Sequence, residues 1–120
     1  MPKQVYSELM KSIVEGKFTF TGEIEPVKTT DLHEVIETAK TLNGHVVAAN
    51  ITDNPTAFAY MNSLIPSYVI QREVGLEAVY QMVTRDRNRL ALTSDLLAAG
   101  YLGIKNVLAL SGDHTTVGDN

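Results

Sequence analysis

Apolar residues recur along this chain with two alternating periods. Tyr6, Leu9, Met10, Ile13 and Val14 fall at helical spacing and Gly16 supplies a stop, which predicts an amphipathic helix over Lys3–Glu15. Phe18–Glu25 then carries strand-forming residues until Pro26 halts it. Asp31 with Glu34 has the form of a capping box, opening a helix whose buried stripe is Leu32, Val35, Ile36, Ala39 and Leu42 and whose end is Asn43-Gly44. Val46-Val47-Ala48-Ala49 is apolar on both faces, as in a parallel strand covered by helices. It empties into Asn50-Ile51-Thr52-Asp53-Asn54.

The pattern then repeats. Pro55 fits a first helical position, with Asp53 or Asn54 as its cap. Phe58, Met61, Leu64 and Ile65 line one face, Pro66 marks a break, and Ser67–Val74 resumes as a short helix ending at Gly75. Leu76–Val83 is the third strand, with Gln81 embedded in it. A further helix starts near Asp86, packs through Leu90, Leu97 and Tyr101, and stops at Gly103. The buried run Val107-Leu108-Ala109-Leu110 is the fourth strand and breaks into Ser111-Gly112-Asp113.

Strands therefore begin near residues 18, 45, 76 and 105, each separated by helix. That is an α/β chain of four consecutive βα units, which implies a parallel sheet with right-handed crossovers. Two architectures fit: a small doubly wound sheet, or the first half of a (β/α)8 barrel. A whole barrel needs about 250 residues, and the 120 present suffice for half of one. Half a barrel leaves its first and fourth strands as open edges, which invite pairing with another chain.

Composition narrows the chemistry. Hydrophobic residues make up 44% and the net charge is −4, which fits a packed domain and argues against a nucleic-acid or polybasic membrane partner. The absence of cysteine removes disulfides, thiolate metal sites and a cysteine nucleophile. Three scattered histidines suggest no metal site. His33 and His45 read as solvated, and His114 as a mobile loop residue beside Asp113. The N-terminus lacks the apolar run of a signal peptide and nothing approaches membrane-spanning length, so a cytoplasmic protein is expected.

The strands end in Glu23 and Glu25, in Asn50 to Asp53, in Gln81 to Asp86, and in Ser111 to Asp113. Ligands of barrels and open α/β sheets sit at the carboxyl ends of strands, so these side chains should share a crevice. Helix capping accounts for Asp31, for Asp53 or Asn54, and for Asp86. It does not account for Gln81, or for Glu23, a carboxylate inside a strand that is costly to bury unless paired, protonated or in use. Arg85-Asp86-Arg87-Asn88-Arg89 reads as a solvated helix start, although positive charge there opposes the helix dipole. One arginine is free to pair with an anionic ligand. No glycine-rich phosphate loop follows the first strand, which disfavours a Rossmann site.

Four segments in register, Glu23-Ile24-Glu25-Pro26, Arg85-Asp86-Arg87-Asn88-Arg89, Ser94-Asp95-Leu96-Leu97 and Asn106–Asp113, resemble the methylenetetrahydrofolate reductase family from Phe18 onward. The resemblance implies a flavin-binding (β/α)8 TIM barrel, of which residues 1–120 would be the N-terminal half, truncated at the C-terminus. It implies FAD as cofactor, with NAD(P)H or a partner redox protein as electron donor. The implied reaction reduces 5,10-methylenetetrahydrofolate to 5-methyltetrahydrofolate in one-carbon metabolism and methionine biosynthesis. By position, Glu23 would be the general acid and Asp113 the carboxylate near flavin and folate. Asn50, Thr52, Gln81, Ser111, Gly112 and Asp113 would contact the flavin. The implied partners are the folate and either a second copy or a chain or domain that completes the barrel. The alternative is a non-catalytic fragment or subunit that depends on such a partner.

Overall fold

The computed structural model describes residues 4–118. Helix α1 (Glu8–Val14) is followed by β1 (Thr21–Ile24), α2 (His33–Leu42), β2 (Ala48–Ile51), α3 (Leu64–Glu73), β3 (Glu77–Val83), α4 (Arg89–Tyr101) and β4 (Asn106–Leu110). Short 3-10 turns at Pro55–Ala57 and Thr115–Val117 follow β2 and β4. The strands form one parallel sheet in the order β1-β2-β3-β4. A doubly wound sheet reverses its order at a switch point and carries helices on both faces. Here the order is sequential and α2, α3 and α4 all pack on one face. The fold is the first half of a (β/α)8 barrel.

Register explains the layering. Paired residues such as Ile24, Ile51 and Tyr80 lie across from one another and point the same way. They and their period-two neighbours Ala49, Ala78 and Met82 meet Val35 and Ala39 of α2, Ile70 of α3 and Ala99 of α4. The opposite parity, including Glu23, Asn50, Val79 and Gln81, faces the barrel interior.

Several boundaries and packing assignments differ from the sequence pattern. Helix α1 starts at Glu8, capped by Ser7, whose hydroxyl accepts from the Met10 amide; Lys3 lies outside the described residues. Its N-terminus is fixed from the sheet, because the Glu77 carboxylate accepts the amides of Glu8 and Leu9 at 2.8 and 3.0 Å. Ser7 donates to Asn106 at 2.8 Å, and Asn106 donates to Glu77 at 2.8 Å. The Asp31/Glu34 capping box does not form; Leu32 occupies the N-cap and Asp31 accepts the His33 amide. Pro66 does not break a helix, because it sits in the first turn of α3, where a missing N–H is harmless. Phe58–Asn62 is irregular rather than helical.

The largest departure concerns the fourth βα unit. Leu90, Leu97 and Tyr101 are 80%, 72% and 91% exposed, and α4 instead packs through Leu92 and Ala99. The strand β4, read from its apolar run as buried, is instead the open edge expected of half a barrel, with Val107 and Leu108 43% and 41% exposed. Periodicity finds apolar faces, but a face is buried only where a neighbour exists, and among the described residues nothing packs beyond β4. No helix among the described residues is long and apolar enough to cross a membrane.

Candidate functional site at the strand ends

The carboxyl ends of all four strands open into one cleft of about 340 Å³. Its lining includes Glu23, Thr52, Gln81, Ser111, Gly112 and Asp113. The structure thus brings together every residue given a catalytic or flavin role above except Asn50, whereas Glu25 and Asp86, expected to share the crevice, line separate hollows. The Asn50 side chain is turned onto β1, donating to the Thr21 hydroxyl at 3.1 Å and the Gly22 carbonyl at 3.2 Å, and it does not line the cleft.

Each wall is held from outside. The ladder continues past β2 and β3, with the Thr52 amide donating to Ile24 at 3.1 Å and the Thr84 amide to Leu110 at 2.8 Å. The buried Ser63 hydroxyl, at the start of α3, donates to the Gln81 carbonyl. Glu23 is exposed, contrary to the burial its position in a strand suggested, because β1 is an edge and its interior face stays wet.

Two features stand out in the cleft, an unpartnered hydroxyl and a tightly pressed turn. Thr52 is 6% exposed, yet its hydroxyl has no hydrogen-bond partner, a condition that costs about 1–3 kcal/mol. Gly112 adopts φ +79°, and a Cβ there would lie 2.7 Å from Val83 Cγ1 and 2.8 Å from Arg85 Nη1. The backbone at the mouth therefore runs where no side chain fits. Nearby, Asn54, Thr56 and Ala57 hold left-handed φ of 44°, 55° and 62° in the loop after β2, a strained conformation of the sort that gathers at ligand sites.

The sequence pattern did not reveal the ion-pair system behind these loops. Asp53, read as a helix cap, is instead a buried carboxylate that accepts the Val83 amide at 2.9 Å and both terminal nitrogens of Arg87. Arg87 also donates to the Val83 carbonyl at 2.7 Å and to Asp95 at 3.1 Å. The hydrogen-bonded Asp53 carboxylate raises the Arg87 pKa further. Arg85 is likewise no solvated helix start: it reaches the Asp113 and Asn54 carbonyls and holds Asp86. Asp86 is not the α4 cap, a role taken by Asn88, which accepts the Ala91 amide at 2.9 Å. The available signal was the unfavourable positive charge before α4, which asked for anionic partners that only the fold identifies. Beneath, burial pushes the Tyr80 phenol up to about 12, with Asp95 adding to the effect. His114 caps the last 3-10 turn, accepting the Thr116 amide at 3.2 Å.

The arrangement offers a carboxyl group (Glu23) across a concave surface from a second carboxylate (Asp113), with a free hydroxyl and close backbone between them. The family profile described as methylenetetrahydrofolate reductase matches residues 8–120. No curated protein matches the chain significantly.

Proposed function

The chain belongs to the methylenetetrahydrofolate reductase family, and from that premise we propose that its cleft serves flavin-dependent reduction of 5,10-methylenetetrahydrofolate to 5-methyltetrahydrofolate. The observation carrying this is the orphaned Thr52 hydroxyl, a buried donor that lines the cleft without a partner. The residues fit FAD: Thr52 and Gln81 would supply hydrogen bonds, and Ser111-Gly112 a surface without a side chain in the way. Asn50, committed to β1, is left out of that set. FAD, when bound and reduced, supplies the hydride.

The protein's own residues do the rest. The Glu23 carboxyl, in its protonated form, would give its proton to the folate nitrogen whose bond to the methylene carbon breaks, leaving a cationic iminium on the other nitrogen. Such a positioned acid is worth about 10²–10⁴ in rate. Its exposure keeps it in contact with solvent, from which the proton is replaced. The Asp113 carboxylate at the opposite rim favours the cation by simple Coulomb attraction.

The test is Glu23→Gln, with the two half-reactions followed separately by flavin absorbance. Flavin reduction by the donor should be preserved while oxidation by the folate slows about 10²–10⁴-fold. Equal loss in both, or none, removes Glu23 from the mechanism. Trying NAD(P)H and a reduced redox protein in turn identifies the donor. A second reading is favoured by the exposed apolar faces of β4 and α4: the chain works with a second chain or domain that completes the barrel, and it is inactive without one.

A further inference from the structure

We propose that Arg85 is a positioning residue that sets the Gly112-Asp113 turn at the cleft mouth, and with it the Asp113 carboxylate. Its effect on a ligand rests on the flavin-dependent reading above; the geometry stands without it. Arg85 follows β3, yet its guanidinium ties together the loops after β2 and β4. Nη1 donates to the Asp113 carbonyl at 2.9 Å and Nη2 to the Asn54 carbonyl at 3.4 Å. Among the described residues no other side chain donates to the Asp113 backbone.

The fork is itself held in plane. Nε donates to both Asp86 oxygens at 3.0 Å and Nη2 to Oδ2 at 2.7 Å. Bidentate pairing of this kind fixes orientation as well as distance. The Arg85 side chain is 12% exposed, whereas Asp86 is 44% exposed, so the anchor faces solvent and the cation faces inward. Its approach depends on residue 112 being glycine, since a Cβ there would sit 2.8 Å from Nη1.

Arg85 is also a partition. It lines both the main cleft and a neighbouring hollow of about 190 Å³ walled by Ala57, Phe58 and Thr115. Without the guanidinium the two spaces join and the Asp113 turn loses its tie to β3. Lysine cannot replace it, because one ammonium cannot engage Asp86 through two parallel bonds and still reach two carbonyls.

The experiment uses the full chain with Arg85→Met, Arg85→Lys and Asp86→Asn. The first readout is NMR of the Asp113–His114 peptide, the Asp113 carbonyl carbon and the His114 amide nitrogen, with β2 and β3 amides as reference. Beyond residues adjoining the substitution, changes should concentrate at Gly112–His114 and the Asn54 carbonyl, largest in Arg85→Met, intermediate in Arg85→Lys and smallest in Asp86→Asn. The second is FAD titrated by fluorescence, whose dissociation constant should rise about tenfold or more in Arg85→Met, the worth of one charge-assisted hydrogen bond. Unchanged Asp113–His114 signals with only a uniform loss of stability overturn the proposal. If Arg85→Met does not fold, Asp86→Asn decides: a folded variant with unaltered signals at that peptide refutes it. If the unsubstituted chain binds no FAD while the NMR changes localise as stated, the flavin reading fails and the Arg85 role stands.

Discussion

Replacing Gly112 with alanine separates two costs that are usually tangled, because the chain carries its own controls. Gly75, Gly103 and Gly112 share φ +79°, but a Cβ at Gly75 or Gly103 meets nothing within 4 Å. Gly103→Ala and Gly75→Ala therefore measure the left-handed backbone alone, about 1–2 kcal/mol. At Gly112 the new Cβ lies 2.7 Å from Val83 Cγ1 and 2.8 Å from Arg85 Nη1, well inside the 3.5–4.0 Å of a relaxed carbon contact. Val83 lies beneath the turn, 3% exposed. Relief must come from Arg85 leaving the Asp113 carbonyl or from the turn moving outward. Overpacking of this sort costs about 1–3 kcal/mol, so Gly112→Ala should lose about 2–5 kcal/mol in total. Urea unfolding at constant m-value measures all three variants on one scale. A Gly112→Ala loss no greater than those of Gly75→Ala and Gly103→Ala would refute the claim that this backbone is pressed against the cleft wall.

Other outcomes follow from the same geometry. Thr52→Val should raise stability by about 1 kcal/mol, since it removes a buried unpaired hydroxyl, while weakening FAD binding; calorimetry and a fluorescence titration should move in opposite directions. Asp53→Ala leaves the half-buried Arg87 with Asp95 as its remaining anionic partner and the Val83 amide unpaired, and should cost about 1–3 kcal/mol, with a double-mutant cycle against Arg87→Met recovering a coupling above 1 kcal/mol; near-additivity would dismiss the pair. Tyr80, raised from an ordinary value of 10 to about 12, favours the folded state while protonated, so its contribution is complete below pH 10 and is lost as pH climbs from 10 to 12. Absorbance at about 295 nm should show a late phenol ionisation near pH 12 that Tyr80→Phe removes, and the same late phase persisting in that variant would contradict this. Leu97→Ser, on the uncovered face of α4, should change unfolding by no more than about 0.5 kcal/mol yet lower any concentration-dependent association seen in sedimentation.

What the sequence disclosed and what it concealed divide along a physical line. Local signals worked: β3 and β4 end where Thr84 and Ser111 break the apolar runs, and Gly75 and Gly103 stop α3 and α4. Polar residues at strand ends meant a shared cleft because a parallel sheet gathers all its carboxyl ends on one side. Capping chemistry was read too literally, because Asp in a βα loop can satisfy a helix or a distant cation equally well. Asp53 and Arg87 are 34 residues apart, and only the register of β2 against β3 brings them together. The outward Leu90, Leu97 and Tyr101 were misread for the converse reason: apolar spacing says which face seeks a partner, not whether one is beside it.

The bond between Glu77 and the start of α1 has a consequence for the order in which the chain can take shape as it is made. A seven-residue helix is too short to persist in water by itself. Its N-terminal amides are held by a carboxylate 68 and 69 positions later, and Ser7 by a residue 99 positions later. Helix α1 is thus secured only after Glu77 is made, and its cap only after Asn106. At about 5–20 residues per second, the interval between synthesis of Ser7 and of Asn106 is roughly 5–20 s. Until then Leu9 and Met10, half-buried in the finished fold, stand open to water, and this stretch is where a chaperone has most to protect.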